Sequence, residues 1–287
     1  MSYQSNDNRI AIIILNYNSF SDCKDCIDSI RLQTGIDYEI VVVDNCSRPD
    51  DAEQVKDLCR KYDCTFIAAE QNRGYSAGNN VGLRYAADAG YDYMAIVNPD
   101  MLFPQHNYFD VLLSAMKQHD DVVMAGSDII LGTSKTHQNP MRNIGYYEEL
   151  FWSFYLFKER YVYFPTSTYC EALSGCCFVI TRDFLQEIGF MDENTFLYEE
   201  ESILSSQVKR AGKKMLYVSE TMALHNHKEN KKGSIINRVR HLRRSRRYYY
   251  NHYCRYNIIQ KGFLYVSQEL QYLYFTVLFN SKNLMGK

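Results

Sequence analysis

Through the first hundred residues, unbroken apolar runs alternate with stretches whose apolar positions recur every three to four residues. Ile10 to Leu15 is apolar at every position, the signature of a strand covered on both faces rather than one face-up to water. A polar turn follows, then Cys23, Ile27 and Ile30 fall on one side of a helix. Ile40 to Val43 repeats the strand, Asp50 to Tyr62 the helix, Thr65 to Ala69 the strand, Ser76 to Ala89 the helix, and Tyr93 to Val97 the strand. This alternation predicts a parallel sheet with helices on both faces. Right-handed crossovers would then bring the strand ends Asn16, Asp44, Glu70 and Asn98 to Asp100 to one edge and one cleft.

Beyond Asp100 the pattern loosens. Val122 to Ile130 reads as a further strand, Gly132 to Arg142 is polar and rich in breakers, and Tyr146 to Tyr163 is crowded with aromatics, as a substrate-facing segment would be. Ala172 to Thr181 is strand-like, with Ser174 and Gly175 small enough for a ligand to approach the backbone. A helix is expected next, then the acidic cluster Glu199, Glu200 and Glu201. The domain boundary is expected near His225, giving a catalytic domain over 1–227, with a donor half about 9–130 and an acceptor half about 131–227, and a C-terminal region over 228–287.

Composition adds little until it is divided. With 46% apolar residues, 23% charged and a net charge of −2, the 287-residue chain falls among ordinary globular proteins. Nine cysteines, several inside apolar runs, fit reduced thiols in a cytosolic setting. Cys23 and Cys26 form a C-x-x-C with no second pair at a zinc-ribbon spacing. The polar segment Met1 to Asn8 has no leader pattern, so the chain reads as unexported. From Lys228 to Lys261, however, basic residues including Arg238, Arg240, Arg243, Arg244, Arg246 and Arg247 face one acid, Glu229. Tyrosines are interleaved with them, and an aromatic-aliphatic stretch runs from Phe263 to Phe279. That combination fits the cytoplasmic membrane surface, where each Lys or Arg contributes about 1 kcal/mol. Nucleic acid is the weaker rival, and a helix face whose arginines pair with acids of the main domain is the third reading. Gln268, Glu269 and Gln271 interrupt the stretch, so it is not a membrane span.

The candidate chemistry starts at Asn98-Pro99-Asp100, where a buried strand ends on a carboxylate. In an open α/β sheet that edge is where ligands bind, and Mg²⁺ or Mn²⁺ is commonly held there by one or two carboxylates plus substrate phosphates. A dinucleotide-binding domain is excluded, because Asn16-Tyr17-Asn18-Ser19-Phe20 has no glycine where pyrophosphate needs one.

Several ordered segments together resemble one family, the inverting glycosyltransferases of family 2 with the GT-A fold, particularly bacterial rhamnosyltransferases of surface polysaccharide synthesis. They are Ile12 to Asn18, Val41 to Ser47, Asn72 to Asn80, Asn98 to Asp100, Ser174 to Phe178, Phe190 to Glu193 with Phe196 to Glu201, and His225-Asn226-His227. The resemblance covers most of residues 9 to 227 and implies a GT-A α/β domain with a mostly parallel central sheet, followed by a helical appendage. It implies that Asn16 and Tyr17 flank a nucleobase, Asp44 accepts its ring N–H, Arg73 lines the same pocket and Asn79 sits near the ribose or diphosphate. Asn98-Pro99-Asp100 resembles the D-x-D metal motif with asparagine in first place. Asp100 would bind Mg²⁺ or Mn²⁺, His225 would complete the site beside His227, and Asn98 would face the nucleotide. Ser174 and Gly175 would line the donor and acceptor pocket. Glu201 takes the general-base position, with Glu200 as substitute. The resemblance implies dTDP-rhamnose as leading donor, UDP-sugars next, and a glycan or polyprenyl-diphosphate-linked acceptor. The non-catalytic alternative is a nucleotide-sugar-binding or scaffold protein. A homo-oligomer is left open.

Overall fold

A computed structural model of the chain describes residues 9–132, 134–151, 160–226 and 235–285. The first half follows the alternation: β1 (Arg9–Asn16), α1 (Phe20–Ile30), β2 (Asp37–Asp44), α2 (Pro49–Tyr62), β3 (Thr65–Ala68), α3 (Tyr75–Asp88) and β4 (Tyr93–Val97). Then come β5 (Met101–Leu102), α4 (Tyr108–Met116), β6 (Val122–Leu131), α5 (Tyr146–Phe151), β7 (Thr168–Cys170), β8 (Cys177–Thr181), α6 (Arg182–Glu187), α7 (Glu200–Arg210) and β9 (Lys214–His225). Two helices close the chain, α8 (Ile235–His252) and α9 (Ile258–Met285).

The strands form one mixed sheet in the order β3-β2-β1-β4-β8-β6-β9-β5, with β7 beside β9. The pairs β3–β2, β2–β1, β1–β4 and β6–β9 are parallel, whereas β4–β8, β8–β6, β9–β5 and β9–β7 are antiparallel. The expected parallel arrangement therefore belongs to the first four strands. A strand such as Cys177–Thr181, apolar at all but its last position, carries nearly the same pattern in either direction, so its reversal was not legible.

Strand β1 explains why the apolar run is continuous. Ile10, Ile12 and Ile14 join Ile27, Val55, Tyr108 and Leu112 in the core on the α1, α2 and α4 side. Ala11, Ile13 and Leu15 join Leu83, Phe184 and Leu204 on the α3, α6 and α7 side. Helix α3 lies unusually close to the sheet. A Cβ at Gly78 would stand 2.6 Å from Leu15 Cδ1 and one at Gly82 2.7 Å from Ile13 Cγ2, so the glycines spaced by four set that distance.

Three elements follow from no strong pattern in the sequence: β5, α4 and the long β9, whose pairing with β6 shifts register between Ser127 and Asp128. The expected strand over Ala172 to Thr181 begins only at Cys177, and Ser174 and Gly175 lie in the turn before it. Helix α8 docks on the sheet domain through buried Ser245, Arg246 and Tyr250 and packs along α9, where Arg243 Nη1 lies 2.6 Å from Glu269 Oε2. No helix among the described residues is long and apolar enough to cross a membrane.

Candidate active site

The parallel strands end along one edge in a polar layer. Asn16, at the end of β1, donates through Nδ2 to Asp44 Oδ1 at 3.0 Å and Asp51 Oδ1 at 2.8 Å. Asp44 Oδ2 accepts from the Ser47 amide at 3.0 Å, and Asp51 Oδ2 from the Phe20 amide at 3.0 Å. Asn16 and Asp44 are buried, and Asn16 Oδ1 has no hydrogen-bond partner. Tyr17, next in the chain, is 47% exposed and offers a ring face for stacking. Beside this layer lies a cavity of about 300 Å³, lined by Asn45, Glu70, Arg73, Ala77 and Gly78. Arg73 is held there by Glu193 at 2.9 Å. A larger cavity of about 610 Å³, between α4 and the β7–β9 strands, contains none of the expected site residues.

Asn79, expected near the ribose or diphosphate, has one amide atom, Oδ1, without a hydrogen-bond partner. Asn79 is fully buried inside α3, and its Nδ2 donates to the Tyr75 carbonyl one turn earlier at 3.1 Å. The amide braces its own helix, as Asn readily does. Ser174 is also buried, its amide donating to Asn139 Oδ1 at 2.8 Å. His227 lies outside the described residues.

The metal candidates meet across the short β5–β9 pairing, which sets Met101 opposite His225. His225 Nε2 lies 3.3 Å from Asp100 Oδ1, and both side chains are largely buried. Gln138 Oε1 lies 2.6 Å from His225 Nδ1. Accepting there, it fixes the proton on Nδ1 and turns Nε2 toward the carboxylate. His225 Nε2 beside the Asp100 carboxylate is a nitrogen–oxygen donor pair of the kind that suits a divalent cation. Among the described residues, no group of three or more His, Cys, Asp or Glu side chains comes together as a complete cage. Two protein ligands completed by diphosphate oxygens are the arrangement these residues fit.

The three glutamates have separate surroundings. Glu199 is buried with a left-handed φ of 70° and pairs with the buried Arg246 guanidinium at 3.2 Å. Glu200 is buried, its Oε2 lacks a partner, and burial followed by the neighbouring Glu201 pushes its carboxyl well above the ordinary 4.5. Glu201 remains partly exposed and accepts from the Gly175 amide at 3.3 Å. Burial, then Glu199, raises its carboxyl too, against the opposing pull of backbone donors and Arg160. A raised, partly accessible carboxylate can take a proton from a hydroxyl.

Tyr75 was not singled out by the sequence, yet it joins the two halves of the site. Its hydroxyl lies 3.0 Å from Asn98 Oδ1 and 2.5 Å from the Gly175 carbonyl oxygen. Gly74, at φ 104°, lets this happen: a Cβ there would stand 2.3 Å from the Phe196 carbonyl oxygen. The C-x-x-C thiols of Cys23 and Cys26 are fully buried, Cys26 Sγ lies 3.8 Å from the Asn98 carbonyl oxygen, and burial pushes both thiols up.

The family model described as glycosyl transferase family 2 matches residues 11–189. The low-salt glycan biosynthesis hexosyltransferase Agl10 of Haloferax volcanii is 25% identical over 223 residues, 76% of this chain and 67% of that protein. The minor teichoic acid biosynthesis protein GgaB of Bacillus subtilis is 25% identical over 219 residues, 74% of this chain but only 23% of its own length. The chain likewise spans only 16% of an uncharacterized glycosyltransferase of Rickettsia conorii, so much of these relatives has no counterpart in the match. Among solved structures, the mannosyltransferase PcManGT from Pyrobaculum calidifontis, in complex with GDP-Man and Mn²⁺, superposes with a TM-score of 0.59 at 18% identity, covering 91% of this chain and 69% of that one. GalNAc-T7 with UDP, GalNAc and Mn²⁺ gives 0.64 at 17% identity, covering 94% and 55%.

Proposed function

Because the chain belongs to glycosyl transferase family 2 and has the GT-A fold, we propose that it transfers a hexose-type sugar, with inversion, from a nucleotide-diphosphate donor to a carbohydrate acceptor. The observation that carries this reading is the meeting of Asp100 and His225 at 3.3 Å on the same sheet edge as Asn16 and Asp44. Tyr17 stacks on the base, Asp44 and Asn16 meet its polar edge, and Arg73 lines the pocket beside it. Asp100 and His225 would hold Mg²⁺ or Mn²⁺, which would supply the positive charge that stabilises a departing diphosphate. Glu201 takes the proton from the acceptor hydroxyl as its oxygen bonds to the anomeric carbon and the bond to the diphosphate breaks on the opposite face. Glu200, without a partner for one oxygen, is the substitute. Gly175 leaves room for the sugar beside Glu201.

Residues 1–227 act as the transferase domain, with donor binding over about 9–130 and acceptor binding over about 131–227, and 228–287 as an appendage that faces the cytoplasmic membrane surface. Asn98-Pro99-Asp100 with Ser174 to Phe178 makes dTDP-rhamnose the leading donor, UDP-sugars the next, and a glycan or polyprenyl-diphosphate-linked glycan of the cell surface the acceptor. The testing experiment is calorimetric titration with dTDP, UDP and GDP, each with Mn²⁺ or Mg²⁺ and again with excess chelator. Metal-dependent binding of dTDP or UDP is expected. Binding of no nucleotide would remove the proposal, and binding without turnover of any donor on any glycan would favour a non-catalytic scaffold.

A further inference from the structure

Tyr75 opens α3 partly buried against the core, and desolvation above all keeps the proton on its phenol. That phenol has two oxygen contacts, 2.5 Å to the Gly175 carbonyl and 3.0 Å to the end of the Asn98 amide. A phenol has one hydrogen to give, and a backbone carbonyl can only accept. The shorter contact therefore takes the hydrogen, and the contact with Asn98 requires a donor on the amide. The two ends of a carboxamide have the same outline, so hydrogen count decides which end faces the phenol. By that count the amide is reversed, its nitrogen standing at the Oδ1 position 3.0 Å from the phenol.

We infer that Tyr75 is a positioning residue that fixes the Asn98 amide with its nitrogen on the phenol and its oxygen toward the cleft, so that Asn98 offers a neutral oxygen ligand to the cation in place of a first carboxylate. The inference rests on the function proposed above. It also accounts for asparagine rather than aspartate at position 98. An ionised carboxylate has no hydrogen to give and would compete with Gly175 for the single phenol proton. The same phenol ties the metal motif to the base, because Gly175 receives Tyr75 through its carbonyl and gives its amide to Glu201 Oε1.

Two measurements test this on the full chain: calorimetric affinity for UDP and dTDP in chelator, and Mn²⁺ affinity of the nucleotide complex from the free-Mn²⁺ electron paramagnetic resonance signal. Tyr75→Phe keeps the ring and removes only the hydroxyl. It is expected to weaken Mn²⁺ binding by about 3- to 10-fold, the worth of one hydrogen bond, while chelator-state nucleotide affinity stays at the wild-type value. Asn98→Ala should weaken Mn²⁺ binding further and also spare metal-free affinity. Adding Asn98→Asp to Tyr75→Phe should restore Mn²⁺ binding, since that carboxylate meets no phenol. If Asn98→Ala instead lowers metal-free affinity as much as metal-loaded affinity, the amide nitrogen faces the diphosphate and the inference is overturned. Unchanged Mn²⁺ affinity in Tyr75→Phe overturns it as well. Asp100→Asn separates the two levels. If it abolishes the Mn²⁺ response while Tyr75→Phe does nothing, only this inference falls; if it leaves the response intact, the proposed function falls too.

Discussion

Glu201 is one of three adjacent carboxylates, and their surroundings rather than their chemistry divide the work. Glu199 is held by Arg246, Glu200 is sealed in, and Glu201 alone combines partial exposure with a bond to Gly175. Glu201→Gln is expected to lower kcat by about 10²- to 10⁴-fold with donor affinity unchanged; intact turnover would move the base elsewhere. Because its carboxyl is raised above 4.5, the acid limb of the kcat profile should lie above that value and rise with pH as the base loses its proton. Glu200 makes a stability prediction of definite sign. Its folded-state pKa is raised, so the folded protein holds a proton that the unfolded chain has released, and this contribution is present at low pH and fades as pH climbs from 4.5 through the folded value. Glu200→Gln should therefore raise Tm at pH 8 relative to wild type, by roughly 2–4 °C per kcal/mol, with the gap closing toward pH 4. A gap constant with pH would show that Glu200 is not the titrating group. The sequence marked Asp100 as a carboxylate just past a strand end and Glu201 as one of a charged cluster, while Arg73 came only from the family resemblance. Tyr75 was not, because a phenol means nothing until the fold places Asn98 and Gly175 against it. For Asn79 the sequence could not show that its Nδ2 binds the Tyr75 carbonyl, because nothing in a local pattern says which way a helical amide points.

At the scale of elements, α8 is part of the machinery that holds Glu201 in place. Tyr198 and Glu199 carry left-handed φ values of 73° and 70°, a conformation that costs roughly 1–2 kcal/mol per non-glycine residue. Ser245 Oγ donates to the Leu197 carbonyl at 2.7 Å, and Arg246 reaches Glu199 at 3.2 Å and Glu149 at 4.0 Å. The strained turn before α7 is thus pinned from α8. Replacing Arg246 with methionine strands two buried carboxylates, a loss of about 3–5 kcal/mol, to be read as a fall in the urea midpoint. Adding Glu149→Gln and Glu199→Gln to that variant should recover much of it; a midpoint unmoved by Arg246→Met would mean α8 does not support the site. The basic character of this helix was readable in the sequence. Its division of labour was not, since the partners Glu149 and Glu199 lie about 50 to 100 residues upstream. A truncation starting at Arg238 would accordingly damage the site along with any surface contact, so point substitutions are the cleaner probe.

Across the whole molecule, the charge asymmetry is partly spent internally. Arg246 is buried against acids of the sheet domain and Arg243 and Arg247 bond Glu269 of α9, while Arg238, Arg240 and Arg244 stay exposed. On α9, Ile259, Phe263, Val266, Leu270, Leu273 and Val277 are each more than half exposed, and their spacing of four and three puts them on one face. An apolar helical face of this length beside exposed arginines supports attachment to an anionic lipid surface, which would bring a lipid-linked acceptor to the cleft. Replacing Arg238, Arg240 and Arg244 together with alanine should weaken co-sedimentation with vesicles of phosphatidylglycerol and phosphatidylcholine by about 100-fold, at roughly 1 kcal/mol per charge, and added salt should weaken wild type similarly. Phe263→Ser with Leu270→Ser should weaken it at any salt concentration, because that loss is one of apolar burial rather than of charge. Nucleotide affinity should stay constant in both variants, since none of these side chains lines the Asn16 to Arg73 pocket. Wild-type protein left wholly in the supernatant would end the membrane reading, and the apolar face would then have to be covered by something other than lipid.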